Sequence, residues 1–331
     1  MRKEVLYAIL AGLTLGLIVA FGAYRANIAL SPKNPGQSEA TPTPKPEFAI
    51  TLAGPSNLDV FGENTASLSG ITKANAFVAV SVEEEDYLTQ ADTKGSFEVS
   101  VELIGGVNQI VITAFDEKGS EVTQKLLLVY SSEFQKYITE EESPGQEEPD
   151  SIRERVEQKV SQALKSPKAL LGTVTDISEN TLQIKSSGGE IEQISVSADT
   201  SALAMGNTNK EVKVADVAIG DYIVAMGFMN GNGVLDTKRI LITSPDEATN
   251  RMAIFVKVSE DNNTSLTTQI IRTGEDKKVS PQRTAAIFLI SEGEASKITF
   301  ARINLDDTLV AIGTDASETF TARTVFVVGR P

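Results

Sequence analysis

The chain has 331 residues, 41% of them hydrophobic and 23% charged, which suits two or three small folded domains and not a wholly disordered polymer. It contains no Cys, no His and no Trp, so disulfides, thiolate nucleophiles, zinc–sulfur centres and Ser-His-Asp chemistry are excluded. A net charge of −15 argues against nucleic acid as a partner, because phosphate backbones are held by basic faces.

The N-terminus reads MRKE-VLYAILAGLTLGLIVAFGAY-RAN. The run from Val5 to Tyr24 carries no charge and as a helix is long enough to cross a hydrocarbon core. Tyr7 and Tyr24 fall near its ends, where amphipathic rings prefer the interface. The charge bias around it is weak. A single-pass anchor is expected, with the N-terminus cytoplasmic and the bulk of the chain extracellular. A cleaved signal peptide is the rival, but the apolar run is longer than a usual signal core and Ala-Phe-Gly at 20–22 is a poor cleavage site. Gly12 and Gly16 form a G-x-x-x-G, extended by Ala8 and Ala20. Such a stripe lets two helices approach closely, so a homodimer through the membrane helix is one reading; the ordinary abundance of Gly and Ala in membrane spans is the other. Residues 1–30 are taken as the anchor.

Residues 31–47, SPKNPGQSEATPTPKPE, cannot bury a core and read as a semi-rigid, extended spacer.

From 48 to 131 the hydrophobic period is two. Phe97, Val99, Val101 and Leu103 share one strand face, Ile110, Ile112 and Ala114 share another, and Gly105-Gly106 and Asp116–Gly119 supply turn chemistry. About seven short strands in this span predict a two-sheet sandwich. The runs GSFEVSVEL and GVNQIVITAFDEKG resemble bacterial Ig-like domains of cell-surface proteins, including the accessory domain of glucodextranase-like enzymes. The resemblance implies a structural or adhesive module and carries no catalytic residue to this chain. Glu83, Glu84, Glu85 and Asp86 form an acidic cluster; without the D-x-D-x-D-G spacing of a calcium loop it reads as a solvated turn.

Residues 132–168 are taken as an acidic linker followed by one amphipathic helix. Asp150 or Ser151 caps that helix, with Glu154 at capping-box spacing from Ser151. Ile152, Val156, Val160 and Leu164 line one face, and Pro167 ends it.

The remainder says one thing twice. GDYIVAMGFMNGNGVLDTKRILI at 220–242 returns as DDTLVAIGTDASETFTARTVFVV at 306–328. Asp221 aligns with Asp307, Gly227 with Gly313, Lys238 with Arg323 and Ile240 with Val325. A duplicated β unit is expected, 169–244 and 250–331, each with enough strands to close a small barrel and so remove exposed sheet edges. The first unit, with GTVTDI and LDTKRILI, resembles small OB-like barrels of unknown function in exported bacterial proteins. The second lacks the opening Gly-Thr and carries Asp306 where the first has Gly220. Lys238, Arg239 and Arg323 could line a binding face or simply point to solvent. Tyr222 and Phe228 read as core or loop residues and not as a base-stacking platform.

The expected whole is a mainly β protein: transmembrane helix, Ig-like sandwich, amphipathic helix and two small barrels. No catalytic, cofactor or metal site is singled out, and no cofactor is expected. The favoured function is a non-enzymatic, membrane-anchored cell-surface scaffold or adhesion protein. The partners expected are the membrane and other envelope proteins or a cell-wall polymer. A receptor for an envelope glycan or polymer is the alternative, weakened by the scarcity of aromatics. An acid/base glycosidase is a third, since acidic chains always contain two carboxylates, but no spacing selects a pair.

Overall fold

The computed structural model describes residues 48–141 and 166–331, except 207, 246–248, 292 and 317. The apolar run at 5–24 with Gly12 and Gly16, the spacer, and nearly all of the amphipathic-helix segment lie outside the described residues. Among the described residues no helix is long and apolar enough to cross a membrane.

The first eight strands are β1 (Thr51–Gly54), β2 (Asp59–Phe61), β3 (Thr65–Ile71), β4 (Phe77–Ser81), β5 (Asp86–Gln90), β6 (Ser96–Glu102), β7 (Gly106–Phe115) and β8 (Glu121–Tyr130). They form a β-sandwich. One sheet has the order β1-β3-β6; the facing one runs β2-β8-β7-β4-β5 and belongs to a larger sheet. The alternation at 96–102 is why β6 is two-faced: Phe97 and Val101 enter the core while Glu98 and Glu102 face water. Leu68, Val80, Ile110, Ile112 and Leu128 complete that core between the sheets.

A short 3-10 turn (Ser132–Phe134) and helix α1 (Gln135–Glu141) follow β8. Phe134 is fully buried and makes ring contacts with Tyr137 and Phe228.

Strands β9 (Lys168–Ser178), β10 (Thr181–Lys185), β11 (Ile191–Ser195), β12 (Ser201–Ala204), β13 (Lys210–Val212), β14 (Tyr222–Met229) and β15 (Leu235–Thr243) come next. Pairing runs β9-β10-β11-β15-β14 and back to β9, a closed ring, with β12 and β13 extending from β15. A single pairing, Asp59 with Lys168, makes this ring continuous with the sandwich sheet.

The last strands are β16 (Arg251–Asp261), β17 (Leu266–Ile270), β18 (Asp276–Ser291), β19 (Glu294–Lys297), β20 (Thr308–Ala316) and β21 (Thr319–Gly329). They close as β16-β17-β18-β21-β20 and back to β16. Here β18 alone does the work of β11 and β12: its two halves pair in parallel with β21 on either side of an irregularity between Pro281 and Ala286.

The two rings share their small bonds as well as their order. Val174 N–H donates to the Asp221 carbonyl at 2.8 Å, and Val258 N–H donates to the Asp307 carbonyl at 2.9 Å. The carboxylates of Asp221 and Asp307 each accept from the N–H three residues earlier, Ala218 and Asn304. The position before each Asp has positive φ, filled by Gly220 in one ring and by Asp306 in the other. Asp is among the few side chains that tolerate the left-handed region, which explains how the second ring dispenses with glycine there. Gly227 and Gly313 both sit at register shifts against the next strand. A Cβ at either would meet the facing strand's backbone, with Thr237 Cα or Ala322 Cα only 2.9 Å away.

Each ring buries side chains on both faces of its central strand. Ile223 and Ala225 point into the first ring, and Leu309 and Ala311 into the second. The alternate residues Val224 and Met226, and Val310 and Ile312, are buried outside, against the sandwich. An apolar run without alternation is what a strand buried on both faces requires.

Candidate functional site

The outer face of the sandwich sheet carries both rings. The first meets it at Val60, Val107 and Val129, the second at Phe77, Ala79 and Phe115. The rings use equivalent surfaces. Leu171 and Phe255 occupy corresponding register positions, paired with Val224 and Val310, and Leu241 corresponds to Phe326. Phe255 lies 5.8 Å from Phe77 and 5.6 Å from Phe115, centroid to centroid, so the second junction is built of tilted aromatic rings.

Ion pairs seal the margins of this packing. The turn between β4 and β5 carries the acidic cluster, and two arginines of the second ring close on it. Arg251 Nη1 and Nη2 contact Glu83 at 2.8 and 3.2 Å, and Nη2 also donates to the Gln109 carbonyl at 2.6 Å. Arg323 Nε donates to Asp86 Oδ2 at 3.0 Å, and Nη2 pairs with Oδ1 of the same carboxylate. Its Nη1 donates to the Glu83 carbonyl at 2.7 Å and its Nη2 to the Val82 carbonyl at 2.9 Å. The cluster is therefore not simply a solvated turn: Asp86 is fully buried at its carboxylate side chain, while Glu84 and Glu85 remain exposed. Burial alone would push the Glu83 carboxyl up. Hydrogen bonds from Arg251 and from the Gln109 N–H, with the charges of Arg251 and Arg323, outweigh it and hold the group below its usual range.

At the first junction Lys168 pairs with Asp59 and Arg239 pairs with Glu133 on the 3-10 turn. Arg239 is buried, and its Nη1 also reaches Ser201 Oγ at 3.4 Å. Thus Lys238, Arg239 and Arg323 do not form one face. Lys238 binds Asp236 on its own strand, while Arg239 and Arg323 each reach from a ring to the sandwich side. Tyr222 is half-buried, and Phe228 packs in the first junction beside Phe134. The residues that sequence reasoning passed over are Glu133 and Phe134. Phe134, Tyr137 and Ile138 have helical spacing, a signal masked by the acidic stretch that follows.

Among the described residues, clefts lie along both junctions. One of about 240 Å³ lies between the Gly105-Gly106 turn, the 3-10 turn and the first ring. The other, of about 220 Å³, lies between the β7–β8 turn and the second ring, with Phe255 and Ile254 among its walls and Arg272, Lys277 and Asp315 at its edge. Among the described residues no group of three or more carboxylates is placed to hold a metal ion.

What these residues define is a class, a mainly β protein in which one sandwich sheet bears two closed strand rings. No family model matches the chain, and no curated protein matches it. Among solved structures, it resembles a carbohydrate acetylesterase from Xanthomonas citri at 21% identity and a TM-score of 0.19, over 24% of this chain and 19% of that one. The chain thus spans less than a fifth of that esterase. Drosophila Unr CSD456 is similar at 10% identity over 78% of this chain and 99% of its own, with a TM-score of 0.17. A Ca2+-stabilized adhesin that helps an Antarctic bacterium reach out and bind ice is similar at 15% identity over 83% and 75%, also with a TM-score of 0.17. Similarity at this level assigns neither fold nor activity.

Proposed function

We propose that the chain is a non-enzymatic, membrane-anchored protein of a bacterial cell envelope, a structural or adhesive scaffold of β modules. In this reading residues 1–30 anchor it, 31–47 hold the head off the membrane, and the head faces outward. The sandwich is of the Ig-like kind, and the rings are two copies of one small OB-like barrel. Their common pairing order, the matched Asp and Gly positions and the shared docking surface support duplication.

The observation that carries the scaffold reading is the double junction: both rings use an outer apolar face and arginines, Arg239 in the first and Arg251 and Arg323 in the second, to fix themselves to one sheet. Such construction makes a head of fixed shape and leaves small clefts. A receptor for an envelope glycan or polymer is the second reading, favoured by the cleft beside the buried Arg239. The test is fractionation of cells producing the full-length chain, followed by incubation of the detergent-solubilised protein with isolated cell-wall material beside a charge-matched control. The scaffold reading expects membrane partition and no specific retention. Specific retention favours the receptor, and recovery in the soluble fraction defeats both.

A further inference from the structure

The matching rings differ at a hairpin tip that both expose. Ile177 pairs with Leu182 across the β9–β10 hairpin, and Asp261 pairs with Leu266 across β16–β17. Both leucines are buried, so the tips align residue for residue. The first ring places Ser178, Glu179 and Asn180 there; the second places Asn262, Asn263 and Thr264, and all six are exposed. The second tip reads EDNNTS from Glu260 to Ser265. It holds both N-x-S/T sequons of the chain, Asn262-Asn263-Thr264 and Asn263-Thr264-Ser265, the pattern at which an asparagine amide accepts a glycan. Glu260 and Asp261 stand two places ahead of the asparagines, the acidic place of the extended D/E-x-N-x-S/T form. The first tip has no sequon, because Leu182 follows Asn180-Thr181.

Turn chemistry accounts for only one of these side chains. Asn263 has φ 63, in the left-handed region that Asn tolerates, and its N–H donates to Asp261 Oδ1 at 2.9 Å. Thr264 N–H donates to the Asn262 carbonyl at 2.8 Å, closing a three-residue turn with Asn263 at its centre. Asn262 and Thr264 therefore stand on the two arms of that turn. Among the described residues the Thr264 hydroxyl has no hydrogen bond, and Asn262 Nδ2 has one long bond of 3.3 Å, to Thr267 Oγ1. An enzyme can take both groups without breaking the fold. The overlapping sequon fails that condition, since Ser265 is buried at 6% exposure.

We infer that Asn262 is the acceptor of an N-linked glycan. The co-reactant is an oligosaccharide carried on a polyprenyl diphosphate. Asn262 Nδ2 forms the new bond to the sugar C1, the bond from C1 to the diphosphate oxygen breaks, and the proton lost by the amide leaves with the lipid diphosphate. The inference rests on the outward-facing placement proposed above, where such a donor is used.

The test gives the detergent-solubilised full-length chain to a purified bacterial single-subunit oligosaccharyltransferase with a polyprenyl-diphosphate-linked N-acetylhexosamine oligosaccharide, and locates the product by electron-transfer mass spectrometry. A synthetic peptide spanning 257–268 is the accessible control. One glycan on Asn262 and none on Asn180 is expected. Asn262→Gln and Thr264→Ala should each abolish transfer. Asn263→Gly keeps the sequon, suits the positive φ and should retain transfer. All three variants lie on the exposed tip and should melt as the parent does. Transfer to the peptide but not to the protein sinks the proposal on accessibility, and transfer to neither sinks it on the motif. A glycan on Asn263, or one that survives Thr264→Ala, overturns the assignment. Fractionation separates this from the placement: transfer to a chain recovered in the soluble fraction keeps Asn262 as an acceptor and defeats the outward reading, and membrane partition without transfer does the reverse.

Discussion

A single carboxylate shows how local chemistry is set by distant chain. Glu83 lies in a turn, yet its partners are Arg251 and the Gln109 backbone, 168 and 26 residues away. Its folded-state acidity is raised relative to the unfolded chain, that is, its pKa is depressed below 4.5. The stability it contributes is then present in full above the unfolded value and lost as pH falls through the lower, folded value. Replacing it by glutamine removes that contribution and leaves Arg251 without its counter-charge. Glu83→Gln should therefore be less stable than the parent at neutral pH, and the gap should narrow as pH drops below 4.5. Urea melts across that range measure it; a gap that stays constant with pH would show that the carboxylate's charge is not what matters. Asp116 has its pKa lowered too, with burial opposed by Lys73 and by N–H groups of the Ser120 and Lys118 backbone, so the parent's own acid limb is expected to be steep.

At the scale of elements, the period-two pattern made most strands legible. The alternation at 97–103 reads directly as β6, and the repeated hairpins read as β14–β15 and β20–β21. The flat apolar runs IVAM and LVAI revealed strands but not their second purpose, because a residue buried against its own ring and one buried against another module look alike in sequence. The clamp was hidden for a related reason. An acidic turn and an arginine 237 residues later carry no mark of each other until the fold brings them together. Of the candidate cleft the Gly105-Gly106 turn was visible, and Arg239 only as a possible surface charge, since the groups that meet it, Glu133 and Ser201, lie 106 and 38 residues away. The docking surface makes its own prediction. Phe255 is buried at the meeting of Phe77 and Phe115, so Phe255→Ala should cost about 3–5 kcal/mol. Because the lost contacts are between modules and not inside the ring, proteolysis should become faster at 244–250, between the rings, while the core of the second ring stays protected. Cleavage within β20 or β21 instead would mean that Phe255 supports the ring itself.

The described head forms one compact unit from Phe48 to Pro331, and the continuity of its cores says why. The sandwich sheet is shared: its inner face closes the sandwich and its outer face seats both rings, so neither ring can leave without exposing apolar surface on the other partner. Fully burying one side chain such as Val224 or Phe326 contributes about 1.5–3 kcal/mol, and several such residues act at each junction. The ion pairs act differently. Removing the arginines leaves carboxylates of unequal burial: the Asp86 side chain is 0% exposed, so its unpaired charge costs about 3–5 kcal/mol, while that of Glu83 is 26% exposed and its loss costs less. The parent should therefore unfold in a single calorimetric transition despite its three modules. In a variant carrying Arg251→Ala and Arg323→Ala, Glu83 and Asp86 lose their counter-charges while the apolar junction is untouched. The second ring should then uncouple from the sandwich and melt separately, giving two transitions, with the first ring still moving with the sandwich through Arg239 and Phe134. One unsplit transition at the parent's temperature would mean that the apolar docking alone holds the head together and that the arginines serve some other end. Two transitions would show that the fixed shape on which the scaffold reading depends is held by the charges at its margins.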